Sequence, residues 1–127
     1  MNKSIITTAN APAPIGPYNQ AVVANGFLFV SGQIALIPST GELAQGDIAT
    51  ETHQVMRNLD AILTEAGINF QHIVKTTIFL SDMSLFAQVN EVYGSYFATD
   101  YPARETVAVK GLPKGVNVEI SVVAVMG

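Results

Sequence analysis

The chain has 127 residues, of which 49% are apolar and only 13% are charged, about half the charged share of an average globular protein. This composition excludes a disordered or highly charged chain, and the length predicts a single domain over residues 1–127. The net charge is −4, and the four lysines are scattered along the chain. Nucleic acid is therefore not an expected partner, because binding it requires a basic stripe that replaces counterions.

Several kinds of site are excluded by composition as well. There is no cysteine, which excludes a disulfide, a thiolate nucleophile and a cysteine-ligated metal. His53 and His72 have no further ligand at metal-binding spacing, so we expect no metal site. The N-terminal residues lack the apolar core of a signal peptide, and no apolar run approaches the roughly 18 residues that cross a bilayer. We expect a cytoplasmic protein without a membrane partner.

The first third of the chain predicts a loop and a hairpin. A short strand is expected within residues 3–8, followed by an ordered loop, because the residue before each of Pro12, Pro14 and Pro17 favours extended backbone. Residues 20–24 and 27–31 flank Asn25-Gly26. That dipeptide is typical of a type I′ hairpin turn, since both of its positions require positive φ. Residues 34–47 are expected to form a loop.

The middle of the chain predicts helix, strand and helix. Apolar residues recur at helical spacing from residue 55 to 66, with Asp47 or Thr50 as the N-cap and Gly67 at the C-terminal end. Residues 72–81 are rich in β-branched side chains and predict a strand. Asp82 and Ser84 can cap a second helix, whose predicted apolar stripe is Leu85, Val89, Val92, Tyr96 and Phe97.

The C-terminal region predicts a second pair of strands, over residues 106–110 and 116–126. The last strand is nearly continuous in apolar residues, a pattern that indicates burial on both faces. Because helices cover only one face of a two-layer domain, another subunit is the simplest cover for the other. The expected fold class is α+β, with one mixed sheet and two helices packed on one side.

Two charged residues of these strands are candidates for chemistry. Glu119 interrupts the apolar run, and Arg104 begins the preceding strand; a carboxylate in an apolar strand stands either on a wet edge or is buried for a reason. If the turn at 111–115 pairs Thr106 with Glu119, Arg104 lies diagonally across from Glu119, about 7–8 Å away on the same face. That gap could hold a small anionic ligand and a water molecule.

Five motifs in register resemble one family. They are Gly16-Pro-Tyr-Asn-Gln-Ala, Ser31-Gly-Gln, Val89-Asn-Glu-Val-Tyr, Pro102-Ala-Arg-Glu-Thr-Val-Ala-Val, and Leu112-Pro with Val118-Glu-Ile. In this order, from about residue 3 to 125, the chain resembles the RidA (YjgF) family of 2-iminobutanoate/2-iminopropanoate deaminases. The resemblance implies a chorismate-mutase-like α+β fold, a homotrimer whose sheets line a central barrel, and active sites in the clefts between subunits.

The resemblance also implies an activity and its residues. The expected reaction is hydrolysis of reactive enamines and imines, such as 2-aminoacrylate, 2-iminopropanoate and 2-iminobutanoate, to 2-oxo acids and ammonia without a cofactor. Arg104 matches the arginine that binds the substrate carboxylate, and Glu119 matches the acid that orients water. The matching substrate-binding positions are Tyr18, Ser31, Gly32, Asn90 and Thr106. Thr106 stands where well-known members often have cysteine, and Glu105 replaces a common small residue; strand alternation points Glu105 away from Arg104.

Two other functions stay open at this point. A non-catalytic trimer that binds or senses small 2-oxo carboxylates would also use Arg104, although Glu119 favours catalysis. A ribonuclease or translation-inhibitor activity, ascribed to some relatives, is disfavoured by the acidic charge balance.

Overall fold

The computed structural model describes residues 2–44 and 46–127. They form one six-stranded mixed sheet and two α-helices, α1 (Ile48–Glu65) and α2 (Phe86–Gly94). The strands are β1 (Lys3–Ile6), β2 (Ala21–Ala24), β3 (Phe27–Gln33), β4 (Ile73–Leu80), β5 (Ala103–Ala108) and β6 (Val118–Val125). Their spatial order is β1-β2-β3-β6-β4-β5. The α+β class and the mixed sheet are as predicted.

The turn and helix-cap residues predicted from the sequence occupy those positions in the structure. Asn25 and Gly26 adopt φ of 55° and 82° and join β2 to β3 as the expected hairpin. The Asp47 side chain accepts a hydrogen bond of 2.9 Å from the Thr50 N–H at the start of α1, which holds the pKa of Asp47 below its ordinary value. Gly67 follows the helix with φ of 81°. The predicted loop 34–47, apart from residue 45, which lies outside the described residues, contains a single β-bridge between Leu36 and Leu43.

The second helix is shorter than predicted. Asp82 caps a 3₁₀ turn over Met83–Leu85 rather than the α-helix itself. α2 then runs only to Gly94, so Tyr96 and Phe97 of the predicted stripe lie beyond its end. The buried α2 residues are Val89, Val92 and Tyr93. Tyr96 and Phe97 fitted the helical pattern of apolar residues because they also pack against the core, although they lie in the turn that follows α2.

The predicted pairing of the last two strands is wrong. β5 pairs with β4 in parallel, β6 pairs with β4 antiparallel, and β4 therefore lies between them. β4, α2 and β5 form a β-α-β crossover, which brings two parallel strands together with a helix on one face. Residues 111–115 thus connect strands that are not neighbours.

The helices cover only one of the two faces of the sheet. α1 and α2 contact each other, and the side chains that alternate toward them are buried, as with Ile120 and Val122. The opposite side, which we call the open face, carries side chains that include Ile5, Phe27, Phe29, Val107 and Val123, and the first four of these are exposed. Both helices pack on one side of the sheet, which confirms the predicted two-layer arrangement. Among the described residues, no helix combines the length and apolar character needed to span a bilayer.

Candidate functional site

A bulge in β3 sets the position of Glu119. Val30 pairs with Val122 and Gln33 with Ile120, so β3 has one residue more than β6 between these pairs. Bulges are common beside functional sites because they redirect the backbone. Here the bulge brings Gly32 under the Glu119 side chain. A Cβ at position 32 would fall 2.9 Å from Glu119 Cδ and 3.1 Å from its Cγ, so the carboxylate position requires glycine.

The Glu119 carboxyl group lies in a partly desolvated environment. Glu119 projects from β6 toward the open face, since its neighbours Val118 and Ile120 are buried on the helix side. Burial raises the pKa of Glu119 above its ordinary value. Within the described residues, no cation forms an ion pair with it. A carboxyl group with a raised pKa holds a proton more readily than an ordinary glutamate, which favours a role in proton transfer.

Glu119 lines a cavity of about 430 Å³, which we call the Glu119 cavity. Its walls are largely apolar and include Pro12, Ile15, Leu36 and Pro113. The predicted residues Tyr18, Ser31 and Gly32 line the same cavity. Ser31 is fixed there, because its Oγ donates to the Asn19 carbonyl at 2.6 Å and its N–H to the Gln20 carbonyl at 2.9 Å.

Gln20 also lines the Glu119 cavity and was not among the predicted site residues. Its buried side chain accepts from the Thr8 N–H at 2.7 Å and donates to the carbonyls of Thr8, Ala11 and Pro12. These bonds hold the loop that carries Tyr18 against the sheet. Two signals in the sequence pointed to it: its place in the motif Gly16-Pro-Tyr-Asn-Gln-Ala and its polar side chain at the start of an otherwise apolar strand.

Arg104 occupies a second cavity, of about 450 Å³, which we call the Arg104 cavity. Its Nη1 donates to Asn90 Oδ1 at 2.6 Å, so the predicted pair Arg104 and Asn90 is brought together. Tyr93, Gly94, Tyr101 and Pro102 complete the lining. The hydrogen bond to the neutral Asn90 amide uses one N–H of the guanidinium. The positive charge and the other N–H donors of Arg104 remain available to an anion.

The two residues that depart from the resemblance lie on opposite faces of β5. The Oγ1 of Thr106 is buried and has no hydrogen-bond partner within the described part of the chain. Glu105 points away from Arg104, as alternation predicted: its carboxylate pairs with Lys75 Nζ at 3.0 Å and accepts from the Thr77 hydroxyl. These contacts, the Thr77 bond first, lower the pKa of Glu105. Glu105 therefore does not compete for Arg104.

Arg104 and Glu119 are not adjacent within one chain, contrary to the predicted diagonal pair. Arg104 is in register with Thr76, whereas Glu119 is in register with Phe79. The two residues are offset by three positions along the strands and by two strands across the sheet, so their Cα atoms are on the order of 14 Å apart. Their side chains project from opposite faces. The inserted β4 is the reason, since it separates β5 from β6.

The two cavities offer complementary chemistry. One holds a fixed cation with free donors, and the other holds a partly desolvated carboxyl group in an apolar enclosure. The Arg104 cavity can bind a small carboxylate, and the Glu119 cavity can hold and activate a water molecule. Among the described residues, no three histidine, aspartate or glutamate side chains cluster as metal ligands.

Comparison with known proteins places the chain in a family. Residues 8–126 match the model of the family described as endoribonuclease L-PSP. The human protein named 2-iminobutanoate/2-iminopropanoate deaminase is 45% identical, over 98% of this chain and 91% of its own. A Rid-family protein from Yersinia pestis has a TM-score of 0.95 and 51% identity, covering 98% of this chain and 99% of its own. The E. coli protein TdcF, solved with bound serine, has a TM-score of 0.91 and 41% identity, covering 96% and 98%. The chain therefore belongs to the endoribonuclease L-PSP family, also called the RidA or YjgF family.

Proposed function

We propose that the protein is a hydrolytic deaminase of small 2-imino acids and their enamine tautomers, such as 2-aminoacrylate, 2-iminopropanoate and 2-iminobutanoate. The products are the 2-oxo acid and ammonia, and no cofactor takes part. The observation that carries the proposal is the Arg104 guanidinium, fixed by Asn90 beside an open cavity. The names of the human, mouse and rat relatives, at 45–46% identity, support it.

The proposed roles follow from the charge and geometry of each group. Arg104 binds the substrate carboxylate through its planar fork of donors, which lysine does not offer. Glu119 takes a proton from a water molecule as the water oxygen bonds to the imine carbon. Glu119 returns this proton to the nitrogen, which gives a neutral carbinolamine. The hydroxyl proton of the carbinolamine then passes through Glu119 to the nitrogen as the C–N bond breaks, so that ammonia leaves and the carbon becomes the 2-oxo carbonyl. Fixing carboxylate and water together can supply several orders of magnitude in rate.

A homotrimer would unite the two cavities. Since Arg104 and Glu119 lie on opposite faces of one sheet, a complete site requires the Glu119 cavity of one subunit to meet the Arg104 cavity of another. The exposed apolar side chains of the open face, among them Phe27, Phe29 and Val107, favour burial against identical copies around a central barrel. In that arrangement Tyr18, Ser31 and Gly32 enter the cleft with Glu119, and Asn90 enters it with Arg104. Thr106 lies two residues after Arg104 on the same strand, and it is not among the described residues that line the Arg104 cavity.

A coupled assay tests the proposal. Threonine dehydratase acting on threonine or serine releases the imine, whose loss is followed by absorbance with and without this protein. We expect faster imine loss with the wild-type protein, at least 100-fold less acceleration by Arg104→Ala, and full acceleration by Arg57→Ala, which removes the other arginine from the exposed surface of α1. Light scattering should give three times the chain mass, 13.5 kDa.

Two results would support a different function for this protein. Measurable 2-oxobutanoate binding without any acceleration would support the non-catalytic carboxylate binder instead. RNA cleavage, or RNA binding that weakens steeply with salt, would support the activity that the family description names. A monomeric mass would contradict the shared cleft.

A further inference from the structure

The guanidinium of Arg104 lies against two aromatic rings. Its Cζ lies 5.6 Å from the centroid of the Phe86 ring and 5.3 Å from that of the Tyr93 ring. Both distances fall within the roughly 6 Å range in which a ring face attracts a cation. With Asn90 on Nη1, three side chains from one helix contact one arginine.

These three side chains lie on one face of α2. Phe86, Asn90 and Tyr93 are at positions i, i+4 and i+7, which stack along one side of a helix. The helix is in turn fixed to the sheet at this point, because the Tyr93 hydroxyl donates to Thr76 Oγ1 at 2.8 Å. Thr76 is buried, and it is the β4 residue in register with Arg104. The aromatic face and the strand that carries the arginine are therefore held to each other.

A free arginine side chain samples many rotamers and loses that freedom when it binds a carboxylate. Contact with two rings and a hydrogen bond to an amide restrict the Arg104 side chain before the ligand arrives. The rings add no competing acceptor, so the donors not used by Asn90 keep their capacity for a carboxylate. Preorganisation of this kind raises affinity without a new contact to the ligand.

We propose that Phe86 and Tyr93 are positioning residues that hold the Arg104 guanidinium for a substrate carboxylate. The inference rests on the proposed function for the identity of the ligand. It goes beyond that function by assigning part of the strength and selectivity of carboxylate binding to the two ring faces that contact the guanidinium.

The test compares a carboxylate with its neutral analogue. Binding of 2-oxobutanoate and of 2-oxobutanamide is measured by calorimetry for the wild-type protein, Phe86→Leu, Phe86→Tyr and Phe70→Leu. Phe86→Leu keeps an apolar side chain of similar bulk and removes the ring face. Phe70→Leu is the matched control, because Phe70 stacks on Tyr96 and Phe97 rather than on Arg104.

We expect Phe86→Leu to weaken 2-oxobutanoate binding about tenfold and to change binding of the amide less than twofold. Phe86→Tyr should restore the wild-type preference for the carboxylate, and Phe70→Leu should keep it. An unchanged preference in Phe86→Leu, or equal losses in Phe86→Leu and Phe70→Leu, would overturn the inference. A purely structural role would weaken both ligands alike, which also overturns it.

The same measurements separate this inference from the proposed function. If the wild-type protein binds 2-oxobutanoate with the expected dependence on Phe86 but does not accelerate imine loss, the deaminase proposal fails and the positioning role stands. If turnover depends on Arg104 but not on the Phe86 ring, the positioning role fails alone.

Discussion

Replacing Gly32 by alanine should separate activity from stability. The added Cβ would lie 2.9 Å from Glu119 Cδ, whereas non-bonded carbon atoms prefer about 3.5–4.0 Å. The Glu119 carboxyl group must therefore move by about 1 Å. The atoms in the way belong to the outer part of a flexible, half-exposed side chain, so the protein can make that shift at little cost.

The expected magnitudes follow from this geometry. A 1 Å displacement of a catalytic group can lower turnover about 100-fold, and we expect a loss of that order in the coupled imine assay. The stability change should stay within about 1 kcal/mol, because alanine restricts the unfolded chain by roughly 0.5–1 kcal/mol and offsets the rearrangement. Gly32 is not among the glycines with positive φ, so alanine introduces no backbone strain.

A matched glycine supplies the control. Gly111 also lacks positive φ, and a Cβ there meets nothing within 4 Å, so Gly111→Ala should keep wild-type turnover. Urea unfolding at fixed protein concentration gives the stability of each variant. The reasoning would be refuted by a Gly32→Ala protein with full activity, or by one that loses activity only in proportion to lost folded protein.

Three further substitutions test the site and the core. Glu119→Gln should abolish most turnover, and wild-type kcat/KM should fall as pH drops through a value above the ordinary glutamate pKa. Burial raises the pKa of Glu119 in the folded protein, so ionisation of Glu119 destabilises the fold as the pH rises through that pKa. The Tm of Glu119→Gln should therefore increase relative to the wild-type Tm at higher pH. A Tm difference that stays constant with pH contradicts this. Gln20→Leu leaves the Thr8 N–H and three carbonyls without their partner and should cost about 2–4 kcal/mol in urea unfolding, so a loss below 1 kcal/mol argues against its anchoring role. Leu59→Ala, at a fully buried α1 position, should cost about 2–5 kcal/mol, and a smaller loss would show that the core collapses around the missing side chain.

The sequence by itself determined most of the local elements and the family. The turn at Asn25-Gly26 and the cap at Asp47 were predictable because each depends on the conformational preference and hydrogen bonding of neighbouring residues. The five motifs identified the family, which the comparisons confirmed. Strand alternation also placed Glu105 away from Arg104, since that direction needs only the two-residue period of a strand.

Only the tertiary structure decided which of these residues are neighbours. The insertion of β4 between β5 and β6 separates Arg104 from Glu119, and no local signal reports it, because strand order depends on long-range pairing and on the crossover through α2. The contacts of Arg104 with Phe86 and Tyr93 follow from the same crossover, which lays one face of α2 beside β5. The approach of Gly32 to Glu119 likewise required a bulge between two strands far apart in sequence. Residue types and local geometry are short-range properties of this chain, whereas its cavities are formed by contacts between distant segments.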